Sequence, residues 1–258
     1  DADMCPNHVT FICGLKACGN SRALKKGQAL HTEIACEGYD SAFSNIGSTL
    51  IDMYVKCGLM IEAQDVFDNL GERDAVAWNA LIVGYAEHSR GKEALGFLEK
   101  MKAQAMSPDV VALAYGIKAC SRIGDIGNGH AIHMESVKHG LETDDLIGST
   151  LVDMYAKLGS VEEAQEVFNK MPSRGIVPWT ALIIGYADCG LGEVALNCFR
   201  NMQLEGIPAN DVTLVCCLKA CSSLENSRMG RELHILAVKE GYERNPFVGA
   251  ALVDMYAK

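Results

Sequence analysis

Gly47-Ser-Thr-Leu-Ile-Asp-Met-Tyr-Val-Lys56 returns as Gly148-Ser-Thr-Leu-Val-Asp-Met-Tyr-Ala-Lys157, and again as Gly249-Ala-Ala-Leu-Val-Asp-Met-Tyr-Ala-Lys258. The three copies stand 101 residues apart. A fixed internal period marks a stack of small units, not one globule. Within 44–74, Leu50, Met53, Tyr54 and Cys57 follow the i, i+3, i+4, i+7 spacing of one helix face. Gly58 then gives a stop signal, because glycine tolerates the left-handed cap conformation. A second helix carries Ala63, Val66, Phe67 and Leu70, and its equivalent carries Ala164, Val167, Phe168 and Met171. Ser160-Val-Glu-Glu163 reads as a capping box ahead of that equivalent.

The same two-helix pattern recurs along the chain. Trp78 and Trp179 lie 101 residues apart in the units 75–109 and 176–210. The units 8–43, 110–144 and 211–245 each carry Lys-Ala-Cys and end near Gly38, Gly140 or Gly241. Each period therefore holds three unit types, a long one, a short one (44–74, 145–175) and a standard one, with a partial short unit at 246–258. No strand pattern competes. One hairpin buries only one face, so neighbours must stack. The expected fold is an all-α, right-handed α-solenoid of about seven helix-turn-helix repeats plus a half repeat.

Bulk properties narrow the function. Hydrophobic residues make up 49% of the 258, enough for a buried core. No run of about 18 apolar residues exists, so no membrane partner is expected. Of the 11 cysteines, Cys18, Cys120 and Cys221 share one repeat position, and no CxxC pair occurs. Buried, reduced thiols are expected, not disulfides or zinc. Net charge is −10, which argues against unspecific binding along a nucleic-acid backbone but leaves room for a local basic stripe. The chain opens on a helix-sized unit, stops within another and shows no targeting peptide, so it reads as a fragment.

Three stretches carry a family resemblance. Val76-Ala-Trp-Asn-Ala-Leu-Ile-Val-Gly-Tyr-Ala86 resembles the opening of a standard pentatricopeptide repeat. Ile51-Asp-Met-Tyr-Val-Lys-Cys-Gly58 with Ala63-Gln-Asp-Val-Phe-Asp68 resembles a short one, and Leu15-Lys-Ala-Cys18 with Gly27-Gln-Ala-Leu-His31 a long one. The order long–short–standard resembles the plant-type class of pentatricopeptide repeat proteins over residues 8–258. The resemblance implies single-stranded RNA as partner, one base per repeat. It implies that the fifth and last residues of a repeat specify the base. Ser48 with Asp74 then favours G, and Asn79 with Asp109 favours U. Ser149 with Gly175 leans purine, and Thr180 with Asn210 favours A. Ile12, Ala114 and Val215 are apolar and discriminate weakly. The implied target is 5′-NGUNRAN-3′, with the core GUNRA.

The resemblance assigns base sandwiching to the second residue: Val9, Val76, Val111, Leu146, Val177, Val212 and Phe247, with Asn45 departing from the pattern. Lys16, Lys118 and Lys219 recur, as do Lys56, Lys157 and Lys258, and are candidate phosphate-facing groups. The family role implied is organelle RNA processing in chloroplast or mitochondrion, above all C-to-U editing, with editing proteins or a separate deaminase as further partners. No cofactor is implied.

Catalytic candidates fall to the repeat itself. His31-Thr-Glu33 and His133-Met-Glu135 match half of a zinc deaminase site, but the PCxxC half is missing. His31, His133 and His234 are repeat equivalents, and the third lacks the glutamate. Asp52, Asp153 and Asp254 likewise recur, and Trp78 and Trp179 sit on apolar faces. No catalytic or metal site is expected. A protein-interaction scaffold is the competing reading, favoured by the acidic charge and the apolar fifth positions of the long repeats.

Overall fold

The computed structural model describes residues 7–38 and 44–257, so the unit junction at 39–43 and Lys258 lie outside the described residues. The described residues form fifteen α-helices and one 3-10 turn, with no strand among them. They fall into two compact units, divided between Asp125 and Ile126.

The first unit holds α1 (His8–Ser21), α2 (Leu24–Cys36), α3 (Ser44–Lys56), α4 (Met60–Asn69), α5 (Ala75–Glu87), α6 (Gly91–Ala103) and α7 (Val110–Ile123). Here α1, α3, α5 and α7 pack side by side in order, forming one layer. The helices α2, α4 and α6 pack behind their own partners α1, α3 and α5 as a second layer. The second unit holds α8 (Ile126–Lys138), α9 (Asp145–Lys157), α10 (Val161–Lys170), α11 (Ile176–Asp188), α12 (Gly192–Leu204), α13 (Asp211–Ser223), α14 (Ser227–Lys239) and α15 (Pro246–Ala257). Its front layer is α9, α11, α13 and α15, with α10, α12 and α14 behind. Each unit is thus a solenoid segment of stacked hairpins.

The core of each unit lies between its layers. Leu50, Met53 and Tyr54 are buried, and so are Ala63 and Phe67 behind them. Trp78 meets Phe67 edge-on at 4.7 Å, and Trp179 meets Phe168 at 4.6 Å. Close helix approach requires glycine at Gly185, where an added Cβ would lie 2.8 Å from Ala156 Cβ and 3.2 Å from its Cα. Helix ends behave as the glycines indicate, with Gly58 at φ 81° and Gly140 at φ 70°.

Two expectations need correction. Ser160 makes no side-chain capping bond, because its ψ of 63° turns it away from the extended geometry of a capping serine. The reciprocal capping box occurs instead at Asn210 and Thr213. Cys18, Cys120 and Cys221 are buried, but Cys13 and Cys36 on helices and Cys189 just past the end of α11 are exposed.

Candidate nucleic-acid interface

Each front helix presents its second residue to solvent. In the first unit these are Val9, Val76 and Val111, and in the second Leu146, Val177, Val212 and Phe247. Their exposures run from 36% at Val111 to 72% at Phe247, whereas the next residues along, such as Ala77, Trp78, Ala112 and Leu113, are buried. Asn45 is exposed as well and interrupts the apolar row. Recurrence of a partly exposed apolar side chain at the same repeat position gives the front layer of each unit a regular apolar contact surface.

The last residue of most repeats is the N-cap of the next front helix. Asp74 accepts from Ala77 N at 2.8 Å, Asp109 from Ala112 N at 2.9 Å, and Asn210 from Thr213 N at 2.8 Å. Asp144 and Asn7 cap α9 and α1 in the same way. Capping holds one side-chain oxygen on the helix and fixes where the rest of the group points. Gly175 has no side chain for this and is exposed, with φ −76°.

The fifth residues divide by chemistry. Asn79 Nδ2 donates to Asp109 Oδ2 at 2.7 Å, joining α5 to the start of α7 in one polar clamp. Asn79 Oδ1 is shielded from water and has no partner. The hydroxyls behave differently. Thr180 Oγ1 donates to Ile176 O at 2.7 Å, and Ser149 Oγ to Asp145 O at 2.7 Å. Each has spent its one proton on its own helix and can only accept from a ligand. Ser48 is 5% exposed and its Oγ donates to Asn45 O at 3.3 Å. Ser48 and Asp74 line a cleft of about 340 Å³ with Lys16, Asn45 and Val76. Ser149 and Gly175 line one of about 290 Å³ with Val177. In the long repeats Ile12 and Val215 are half-buried and Ala114 is buried.

The recurring lysines are not equivalent. Lys56 pairs with Asp52 and Lys157 with Asp153, each at 2.7 Å along one helix. Lys118 lies over the Tyr115 ring at 4.9 Å. Lys16 and Lys219 are exposed. Positive charge on the front layer is therefore least compensated on the long repeats.

The recurring histidines serve a joint that sequence reading missed. His31 Nδ1 meets Tyr54 Oη at 2.8 Å, His133 meets Tyr155 at 2.9 Å, and His234 meets Tyr256 at 3.0 Å. Standard and short repeats use Tyr85 to Gln64 at 2.6 Å and Tyr186 to Gln165 at 3.0 Å in the same place. Tyr155 also meets His130 Nδ1 at 3.1 Å. A phenol has one proton, so one of these histidines accepts and the other donates. Burial, with help from Lys170 and His130, pushes His133 below the usual histidine range. Burial pushes Tyr155 up to about 12. The signal was available: each histidine and its tyrosine recur together with the period. A second recurring device is Arg73, which donates to Phe67 O and Asp68 O and covers the Phe67 ring. Arg174 does the same at Phe168. Both arginines sit immediately before the last residue of their repeat, Asp74 or Gly175.

Among the described residues, no cluster of three or more His, Cys, Asp or Glu side chains could hold a metal ion, and no helix is long and apolar enough to cross a membrane.

The PPR repeat family pattern matches residues 73–122, and the PPR repeat pattern matches 48–74, 149–176 and 177–207. A chloroplastic pentatricopeptide repeat-containing protein of Arabidopsis thaliana is 34% identical over 253 residues, covering 98% of this chain and 41% of that protein. A second chloroplastic one is 32% identical over 250 residues, covering 97% of this chain and 30% of the relative. A mitochondrial one is 33% identical over 230 residues, covering 89% and 41%. The chain thus spans about two fifths or less of these relatives. The crystal structure of the pentatricopeptide repeat protein PPR10 in complex with an 18-nucleotide psaJ RNA element superposes with a TM-score of 0.78. The two are 20% identical, over 99% of this chain and 38% of that one.

Proposed function

The chain belongs to the pentatricopeptide repeat family, and we propose that it binds single-stranded RNA along its front helices, one base per repeat. The observation that carries this reading is the Asn79–Asp109 clamp beside the exposed Val76 and Val111. An apolar side chain supplies a flat contact for a base, and a fixed polar pair beside it meets the base edge. The likeness to PPR10, solved with an RNA bound, supports the same use of this architecture.

Donor and acceptor chemistry supports the individual assignments. Asn79 keeps a second Nδ2 hydrogen after serving Asp109, which suits a uracil carbonyl. Thr180 and Ser149 can only accept, which suits the amino or imino hydrogens of a purine. Ser48 with Asp74 offers acceptors alone to the second base, which suits guanine. Val9, Val76, Val111, Leu146, Val177 and Val212 sandwich the bases. Lys16, Lys118 and Lys219 meet phosphates, while Lys56 and Lys157 do so only by releasing exposed aspartates, a weak competitor in water. The target is 5′-NGUNRAN-3′.

The repeat order is that of the long–short–standard class. The role we assign is sequence recognition for organelle RNA processing, C-to-U editing first, in chloroplast or mitochondrion. Chemistry would come from a deaminase outside these residues, so this chain selects and does not catalyse. Affinity for RNA containing GUNRA, measured against RNA containing ACNYG, tests the reading. Preference for GUNRA is expected. Equal affinity would favour a protein-interaction scaffold instead.

A further inference from the structure

The long repeat 110–144 has a buried alanine, Ala114, where its neighbours carry a polar reader. We infer that this repeat holds its nucleobase by stacking on Tyr115, with Lys118 alongside, and accepts any base. The inference rests on the RNA-binding reading above.

Helix α7 shows one open stripe. Val111, Tyr115 and Lys118 are exposed or half-exposed at i, i+4 and i+7, whereas Ala112, Leu113, Ala114 and Ile117 are buried. Four residues of helix rise about 6 Å. The Tyr115 ring therefore sits one turn along from Val111, the residue assigned to sandwich the same base. The ring is held at two points. Its Oη donates to Glu87 Oε1 on α5 at 3.3 Å, and Lys118 Nζ lies 4.9 Å from its centroid. Burial and the Glu87 carboxylate push the phenol up, so it stays a neutral donor. A ring oriented in advance loses little freedom on binding.

The position is singular in this chain. Its equivalents are Cys13, Thr49, Ala80, Thr150, Ala181, Cys216 and Ala251, none aromatic. Every base has a π-face, so an aromatic platform binds without choosing. Cation–π attraction keeps the Lys118 ammonium at the ring, beside the backbone of a stacked nucleotide. This accounts for a front helix that keeps the exposed valine yet has lost its edge-reading residue.

The experiment compares the 258-residue chain with Tyr115→Ala and Tyr115→Phe. Each binds 5′-NGUNRAN-3′ carrying either a normal or an abasic fourth nucleotide, with thermal melts to verify folding. Tyr115→Phe keeps the ring and loses only its tie to Glu87, so it should bind within about twofold of the parent. Tyr115→Ala should weaken binding of the intact RNA roughly fivefold or more. The abasic RNA should cost the parent a similar factor and cost Tyr115→Ala almost nothing further. The inference is overturned if Tyr115→Ala binds intact RNA as the parent does, or if the abasic penalty persists undiminished in that variant. Failure of the RNA-binding reading looks different: the parent itself would not distinguish GUNRA from ACNYG, and the inference would fall with it.

Discussion

The two standard repeats, 75–109 and 176–210, occupy the same place in the period yet solve one problem differently. In the first, Asn79 reaches across 30 residues to Asp109, and the two groups hold each other at 2.7 Å. In the second, Thr180 turns back on Ile176, and Asn210 is taken up by a capping box with Thr213. One copy presents a joined donor and acceptor; the other presents two separately anchored groups. The scaffold is shared and the polar edge is not. That separation lets a repeat array vary its ligand without refolding.

The scaffold side of this comparison should show the largest effects. Trp78 is buried against Phe67 at 4.7 Å and Phe97 at 6.2 Å. Trp78→Ala should cost about 3–5 kcal/mol of stability by chemical denaturation. Trp78→Phe should cost far less, since Trp78 Nε1 is buried without a partner and its removal relieves that penalty. The clamp comes next. Asp109→Ala removes both the cap of α7 and the partner of Asn79, and should cost about 0.5–2 kcal/mol in a melt. It should also flatten preference at the third nucleotide. Asn210→Ala should lose its cap but leave Thr180 where it is.

Backbone strain separates the same two repeats. Ala105 sits at φ 57° where the other copy has Gly206 at φ 76°. Ala105→Gly should stabilise the chain by up to about 1 kcal/mol, because the left-handed region penalises a Cβ. A melting temperature that falls would contradict this. The smallest effect concerns the joint between repeats. His133 is held below the usual histidine range by burial, so folding favours its neutral form. Stability from this group is present above about pH 6.5 and is lost as pH falls through the lower folded value. The melting temperature should drop on acidification below pH 6.5, and His133→Gln should reduce that slope.

Much of this architecture was legible because it obeys local rules. The 3.6-residue spacing of Leu50, Met53 and Tyr54 defines a buried face, and Gly58 ends the helix. The second residues were picked out by the family resemblance, because a helix as apolar all round as α5 does not single out Val76 by spacing. Other features were hidden because contact crosses helices. Nothing local in His133 points to Tyr155; only their common recurrence does. The helix capping by Asp74, Asp109 and Asn210 was hidden for another reason. An Asn or Asp before a helix is a standard start signal, and the base-reading role obscured it. Ser160 misled because a capping-box spelling does not guarantee the extended backbone that the box requires.

Base selection by Asn79 is the central claim, and one competition experiment addresses it directly. The chain and its Asn79→Thr variant each bind 5′-NGUNRAN-3′ and the same RNA with G at the third position. The parent should prefer U, and the variant should shift toward G, each by roughly the 1–3 kcal/mol of one base contact. Identical preferences in the two proteins would mean that Asn79 does not read the base.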